Sequence, residues 1–319
     1  MSKFLKSLDY LFLTRPILFF PGWATLLAGY ATVGRRHQLV DRLSEGSPAV
    51  VGGNGQVVIA VISFAAAMGG CFILNQLQDV ETDRQNHKLF LIGDGHVSRR
   101  AAWTEAALLI LLSLVAASAI NHQFAAAMIT FVIITGVFYN YRPLRLKDRP
   151  LGGLAANMAM GWLAFALGRL TVESLTPTLL KLSLPYLLFN TSLYFLTTLP
   201  DYEGDRTGGK ITFPVKFGFS ATIVCCLLFF LAAVVSAAVQ GNQFMLIVGA
   251  AAAPFMTFLA IRRSTAAAVV AVKSGIAAFA LLTCLLFPVF FLLLAALFFF
   301  TRFYYRRRFA FDYPNFRGR

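Results

Sequence analysis

Two carboxylate pairs are the residues of this chain best suited to do chemistry. Asp79 and Asp83 stand four residues apart, and Asp201 and Asp205 repeat that spacing 122 residues later. Asn75 extends the first pair. On a helix of 3.6 residues per turn, Asn75, Asp79 and Asp83 at i, i+4 and i+8 form one polar stripe. Four carboxylates at one site repel each other unless cations stand between them. Mg2+ meets that need, because it takes oxygen ligands, keeps some waters and bridges one or two carboxylates to phosphates. The metal set is therefore Asn75, Asp79, Asp83, Asp201 and Asp205. Glu81 and Glu203 point away from the stripe on a helix and stay outside it. The matching cations are Lys88 after the first pair, Lys210 after the second, and Arg142, Arg145 and Lys147 in the dense run Tyr139–Arg149. They are candidates for holding a phosphate.

These residues need elements that bring them to one place, and composition says which. Hydrophobic residues make up 58% of the 319 and charged residues 13%, with a mean hydropathy of +0.70. Soluble domains lie nearer 45–50% and 25%. Apolar runs of membrane-spanning length recur along the chain, so the fold class is all-α: a polytopic transmembrane helical bundle. Spans fall near 17–33, 57–78, 101–120, 124–141, 151–170, 179–199, 219–239 and 244–261. Residues 266–301 read either as one long helix kinked at Pro288 or as two packed spans. The absence of a polar turn around Pro288 favours one, for about nine spans in a single domain, 1–319.

The charge-rich loops follow spans two, four and six, so alternation puts them on one face. Four spans separate the two acidic pairs. An even number returns the chain to the same face, which suggests a parallel internal repeat whose halves each offer a carboxylate pair. The net charge of +14 fits an excess of Lys and Arg in cytoplasmic loops, which places the active-site loops on the cytoplasmic side. Nucleic-acid binding is not expected, since the cations are split among short loops and a tail. Cys71, Cys225, Cys226 and Cys284 lie in apolar runs and read as small hydrophobic residues. The four histidines lie outside the spans, which argues against haem held between helices. His96 and Glu105 are read as ordinary structural residues, and the first apolar run as a retained span.

The motifs resemble those of the UbiA superfamily of intramembrane prenyltransferases. Asn75-x3-Asp79-x3-Asp83 with Asp201-x3-Asp205 looks like that family's paired signature. Asn75-Gln76-Leu77-x-Asp79-Val80-Glu81-x-Asp83-x-x-Asn86 is close to the wording of its homogentisate and 4-hydroxybenzoate type. Tyr139-Asn140-x-x-Pro143-x-Arg145-x-Lys147 is similar to the family's Tyr-Ser…Pro-x-Arg-x-Lys loop, and Pro200–Arg206 to its second motif. The resemblance implies a bundle of nine spans around a central cavity open to lipid, and Mg2+ bridging both acidic motifs to a polyprenyl diphosphate. It further implies prenyl transfer to an acceptor, often an aromatic quinone precursor. One stretch departs: where the family has Asn-Arg-Pro and a later Arg-Pro, this chain reads Asn86-His87-Lys88-Leu89-Phe90-Leu91-Ile92.

The chemistry that follows is ionisation of an allylic diphosphate. Asp79, Asp83, Asp201, Asp205 and Lys147 form the catalytic set, and the cations stabilise charge on the departing pyrophosphate. Tyr139, Tyr141 and Tyr194 are candidate cavity-wall residues, whose ring faces would stabilise a developing carbocation. Two rivals fit less well. A transporter with symmetric repeats would more often carry charge near mid-span, and these spans carry essentially none. A CDP-alcohol phosphotransferase would need its aspartates on one contiguous segment.

Overall fold

The computed structural model describes residues 3–33, 55–85 and 91–314, and every regular element among them is helical. Helix α1 (Lys3–Leu13) meets α2 (Phe19–Ala31) through a short 3-10 turn at Pro16–Leu18. Then come α3 (Gly55–Gln85), α4 (Arg99–Ser118) and α5 (His122–Val132), which runs on as a π-helical stretch over Ile133–Phe138. After a second 3-10 turn, Leu146–Asp148, the chain forms α6 (Pro150–Leu170) and α7 (Thr178–Thr198). Two short helices follow, α8 (Tyr202–Thr207) and α9 (Phe213–Phe217). The chain then completes α10 (Phe219–Val239), α11 (Gln243–Arg262), α12 (Thr265–Leu286) and α13 (Pro288–Phe309).

Side-chain caps set several starts. Ser98, Asn121, Asn242 and Ser264 each accept a hydrogen bond from the backbone N–H three residues on, heading α4, α5, α11 and α12. Each satisfies one of the donors that a helix start leaves open.

Among the described residues nine helical segments are long and apolar enough to cross a membrane, with α1 and α2 counting as one from Phe4 to Ala31. They are not quite the nine expected from sequence. His122–Phe138, read as a span, is a shorter apolar segment, and the ambiguous 266–301 region supplies two helices rather than one. The break lies at Phe287, whose backbone leaves the helical region at φ −136 and ψ 81. Pro288 then takes the first position of α13, where a missing N–H costs nothing.

The two final helices form a hairpin. Tyr30 lies 6.0 Å from Phe287, Trp23 6.4 Å from Phe290 and Phe12 stacks on Tyr304 at 3.8 Å, so α13 runs antiparallel to α1 and α2. Both described ends of the chain therefore meet at one face.

The parallel repeat is visible in the packing. α3 packs on α4 as α7 packs on α10, and the first helices of the two halves, α2 and α6, cross closely. Glycines permit that crossing. A Cβ on Gly29 would fall 2.0 Å from the Phe165 carbonyl oxygen, and one on Gly168 only 1.8 Å from that of Leu26. Small residues let helix backbones approach where lipid supplies no hydrophobic drive for association. The main apolar core runs through α2 to α7 and α10 to α13. A second cluster, Phe12, Ile73, Leu91, Val97, Tyr304 and Tyr305 among its members, joins α1, the end of α3, the turn before α4 and α13.

Candidate active site

The last turns of α3 carry the first motif. Gln76 fixes their height: its Nε2 donates to the Leu13 carbonyl at 2.8 Å and to that of Phe72 at 3.1 Å, and the side chain is buried. Asn75 and Asp79 then face the loop after α5. Glu81 is exposed, in keeping with its exclusion from the ligand set. The side chain of Asp83 and the whole of Lys88 lie outside the described residues.

The loop is shaped by its own backbone. The π-helical stretch ends with the Tyr139 N–H donating to the Ile134 carbonyl at 2.9 Å. Arg145 N–H then donates to Tyr141 at 2.7 Å, and Lys147 N–H to Tyr139 at 3.3 Å, closing the loop on itself. Arg145 adopts a left-handed conformation, φ 37, at the head of the 3-10 turn. Such backbone in a non-glycine residue costs energy and persists where its surroundings hold it.

Closed in this way, the loop meets the first motif through three contacts. Lys147 Nζ donates to Asp79 Oδ2 at 2.6 Å and to Asn140 Oδ1 at 3.2 Å, while Asn75 Nδ2 donates to the same Asn140 oxygen at 2.7 Å. Arg145 Nη2 lies 3.6 Å from Asp79 Oδ1, and its Nε is 2.6 Å from Asp148. Asp79 and Lys147 are both largely buried. Burial pushes the Lys147 ammonium below the usual lysine range, and the Asp79 carboxylate pulls it partly back.

Asn140 is the residue that sequence reasoning missed. It is 1% exposed, and its Nδ2 donates to the carbonyls of Thr135 and Gly136 at 2.9 and 3.1 Å. One amide thus anchors in the π-helical stretch and presents its oxygen to both Asn75 and Lys147. In sequence it stands inside the Tyr139-Asn140-x-x-Pro143-x-Arg145-x-Lys147 stretch, but an asparagine beside a loop reads as a turn former, so it carries no assigned role there.

The second motif follows α7. Asp201 heads α8, and its carbonyl accepts the Asp205 N–H at 2.8 Å; the Asp205 carbonyl in turn accepts the Lys210 N–H at 2.9 Å. Asp205 is buried, whereas Glu203 is exposed. Tyr139 links the two motifs. Its phenol is pushed up by burial first, then by the neighbouring Tyr194 and by the carboxylates of Asp79, Asp148 and Asp205. Carboxylates from both motifs therefore act on one hydroxyl. Tyr194 closes the other side, its hydroxyl resting 2.7 Å from where a Cβ on Gly153 of α6 would stand.

Tyr141 turns away from this group. Its ring centroid lies 6.3 Å from that of Trp103 on α4, and it packs on the second apolar cluster rather than beside Tyr139 and Tyr194. Arg142 is exposed, Lys210 is half-buried, and neither makes a side-chain polar contact among the described residues. The departing segment after the first motif is also accounted for in part. Leu91, Ile92 and Val97 are buried in the second cluster, and the Val97 N–H donates to the Leu91 carbonyl at 2.9 Å.

The donors fit a hard cation. Asp79 Oδ1 is buried and accepts no hydrogen bond among the described residues, and the motif side chains offer oxygen rather than sulfur or imidazole. Among the described residues no three acidic, histidine or cysteine side chains converge on one point.

The sequence model of the UbiA prenyltransferase family matches residues 43–267. This chain belongs to the UbiA prenyltransferase family. With nine long apolar helices among its described residues, it is an integral multi-pass membrane protein. A curated relative is the digeranylgeranylglyceryl phosphate synthase of Sulfurisphaera tokodaii, 26% identical over 175 residues. That match spans 52% of this chain and 59% of the relative's length. Among solved structures, a UbiA homologue from Archaeoglobus fulgidus bound to GPP and Mg2+ superposes with a TM-score of 0.65 at 23% identity, covering 88% of this chain and 99% of that one. A UbiA homologue from Aeropyrum pernix gives 0.60 at 16% identity over 85% and 97%. At these identities the superpositions show a shared fold.

Proposed function

We propose that this UbiA protein transfers a polyprenyl group from an allylic polyprenyl diphosphate to a small aromatic acceptor, with release of pyrophosphate, as in the making of quinones and related isoprenoid lipids. The observation that carries the donor half is the buried, hydrogen-bond-free oxygen of Asp79 beside Lys147 and Arg145, with Asp205 acting on the same Tyr139. An anion of high charge and a hard cation together would satisfy all of these groups. The GPP and Mg2+ bound to the Archaeoglobus homologue support the same donor chemistry. The charge distribution supports a cytoplasmic active-site face.

Asn75, Asp79, Asp83, Asp201 and Asp205 would hold Mg2+, which supplies Lewis-acid neutralisation of the leaving pyrophosphate. The protein's own work is separable from that. Lys147 and Arg145 bind the diphosphate and stabilise the charge it gains as the carbon–oxygen bond breaks. Asn140 keeps Lys147 and Asn75 in register. The apolar helix surfaces carry the isoprenoid chain and keep water from the allylic cation. Tyr139 and Tyr194 line the place where that cation forms, their ring faces stabilising it. The acceptor's nucleophilic atom then bonds to the allylic carbon and a proton is lost.

The aromatic acceptor rests on the wording Asn75-Gln76-Leu77-x-Asp79-Val80-Glu81. A second reading, a glyceryl phosphate acceptor, is favoured by the Sulfurisphaera relative. It would require cations beyond Lys147 and Arg145, and Arg142 and Lys210, read from sequence as phosphate candidates, would then serve the acceptor instead of the donor. Purified protein incubated with Mg2+, labelled diphosphates of several lengths and a panel of aromatic and glyceryl phosphate acceptors decides between them. Prenylated phenol supports the first reading. Prenylated glyceryl phosphate, lost in an Arg142→Gln/Lys210→Gln variant, supports the second. Full turnover in both Asp79→Asn and Asp205→Asn would overturn the donor half.

A further inference from the structure

The last turns of α13 divide their residues by face. Thr301, Tyr304 and Tyr305 are buried and Arg308 turns inward with them, its Nε and Nη2 each 3.0 Å from a carboxylate oxygen of buried Asp9. The opposite face carries Phe299, Arg302, Phe303, Arg306 and Arg307, which line a cavity of about 670 Å3. Phe299, Phe303 and Arg307 fall at i, i+4 and i+8, with Arg302 and Arg306 on the adjoining row. All five are exposed. Arg302 makes an ion pair with exposed Asp312 at 3.1 Å. Arg306 and Arg307 have no carboxylate partner among the described residues.

Along its length this face changes from aromatic to cationic. That is the pattern of a surface for an amphiphile lying parallel to a helix: hydrocarbon beside the phenylalanines, an anion at the arginines. The level is right for it. Arg308 and Tyr304 meet Asp9 at the end of the bundle where both described termini gather, so the arginines lie in the last turns of the Pro288–Phe309 span, at its polar end. Guanidinium groups bind phosphate oxygens by paired, charge-assisted hydrogen bonds, and juxtamembrane cations attract anionic lipid headgroups.

We propose that this cavity binds an anionic phospholipid of the surrounding bilayer, with its phosphate on Arg302, Arg306 and Arg307 and an acyl chain along Phe299 and Phe303. It lies on the outer face of α13, apart from the Asp79, Asn140 and Asp205 group, and rests on neither reading of the acceptor.

The test measures lipid retention, not turnover. Full-length protein is taken from mixed phosphatidylglycerol and phosphatidylcholine vesicles into mild detergent, and retained lipids are counted by native mass spectrometry. The unaltered protein is expected to retain phosphatidylglycerol in preference to phosphatidylcholine. Arg306→Gln should weaken that preference about fivefold, and Arg302→Gln/Arg306→Gln/Arg307→Gln on the order of a hundredfold, from the usual gain per cation at an anionic surface. Phe299→Ala/Phe303→Ala should lower retention of both lipids with the charge unchanged. Glycerophosphoglycerol, the same headgroup without chains, should fail to displace bound lipid at equal concentration. Equal displacement by the bare headgroup, or the parent preference in the single and triple arginine variants alike, overturns the proposal.

Discussion

Removing the Asn140 side chain should damage the reaction without touching any group that meets substrate. Asn140→Ala deletes four hydrogen bonds, to Asn75, Lys147, Thr135 and Gly136. It leaves two carbonyls of the π-helical stretch without their side-chain donor and frees one donor each on Asn75 and Lys147. The site is buried, so each unmet group costs roughly 1–3 kcal/mol before water enters. Lys147 keeps its 2.6 Å bond to Asp79, so the cation stays near its place but loses its second tether. Groups that orient ligating and charged side chains are worth about 10–100-fold in activity, or roughly 1.4–2.7 kcal/mol of barrier. The expected result is a fall in kcat of that size, with KM for the diphosphate changed much less. Asn140→Ser, whose hydroxyl serves one partner on each side, should recover part of the loss. Steady-state kinetics in detergent, run beside a thermal melt of each variant, separates positioning from simple destabilisation. Parent kcat in the alanine variant, or a loss that only tracks the folded fraction, would refute the role.

Other outcomes follow from the same geometry. Lys147→Ala should cost about 10²–10³ in kcat, as for loss of a charge-stabilising donor, with Lys147→Arg recovering part of it in the same assay. Chelation of divalent cations with EDTA should abolish prenyl transfer, and returned Mg2+ should restore it. Gly168→Ala places a Cβ 1.8 Å from a main-chain oxygen of α2, so the helices must part; a loss of about 3 kcal/mol should appear as a lower Tm. Asp9→Ala leaves the Arg308 guanidinium in a site 6% exposed without its carboxylate, and a loss of roughly 3 kcal/mol should likewise appear in thermal unfolding.

The acidic pairs stood out in the sequence because their pattern is regular: two carboxylates four apart, once near the end of α3 and once at the head of α8. The hairpin of α12 and α13 did not, because its turn is apolar. Phe287 is 6% exposed and packs near Tyr30, so no polar residues mark the reversal. Tyr141 was misplaced by loop composition, although a helical reading held the warning. Residues i and i+2 point about 200° apart on a helix, and Tyr139 and Tyr141 do part in this way even though the backbone between them is leaving the π-helical stretch. Asn140 lay beyond reach, since its role depends on carbonyls that the π-helical stretch turns toward it.

The packing also bears on why one loop among several is the one proposed to bind the diphosphate. Arg15, Arg145 and Arg263 are all left-handed, with φ of 54, 37 and 43, and each stands just before a new set of spans: α2, α6 and α12. Arg15 and Arg145 each head a 3-10 turn, whereas Arg263 closes α11, and the three have different surroundings. The first is covered by the end of the chain: α13 packs on the Pro16–Leu18 turn, and Arg15 acts on the phenols of Tyr305 and Tyr313. The third faces out, with Arg263 exposed and its Nε bonded to the Ala260 carbonyl at 3.2 Å. Only the middle lead-in lies between the two halves, where Asp79 is 3.6 Å from Arg145 and 2.6 Å from Lys147. A left-handed arginine alone therefore makes no site. Lys147, two residues on, does so because the same backbone reversal turns it back toward Asn140 and Asp79. Two substitutions test this. Asp148→Ala, which removes the 2.6 Å partner of Arg145 Nε, should loosen Arg145 and raise KM for the diphosphate severalfold. Arg263→Gln should leave both kcat and KM at the parent values. A rise in KM from the Arg263 change, or none from the Asp148 change, would mean that the lead-ins are not divided by surroundings as the packing indicates.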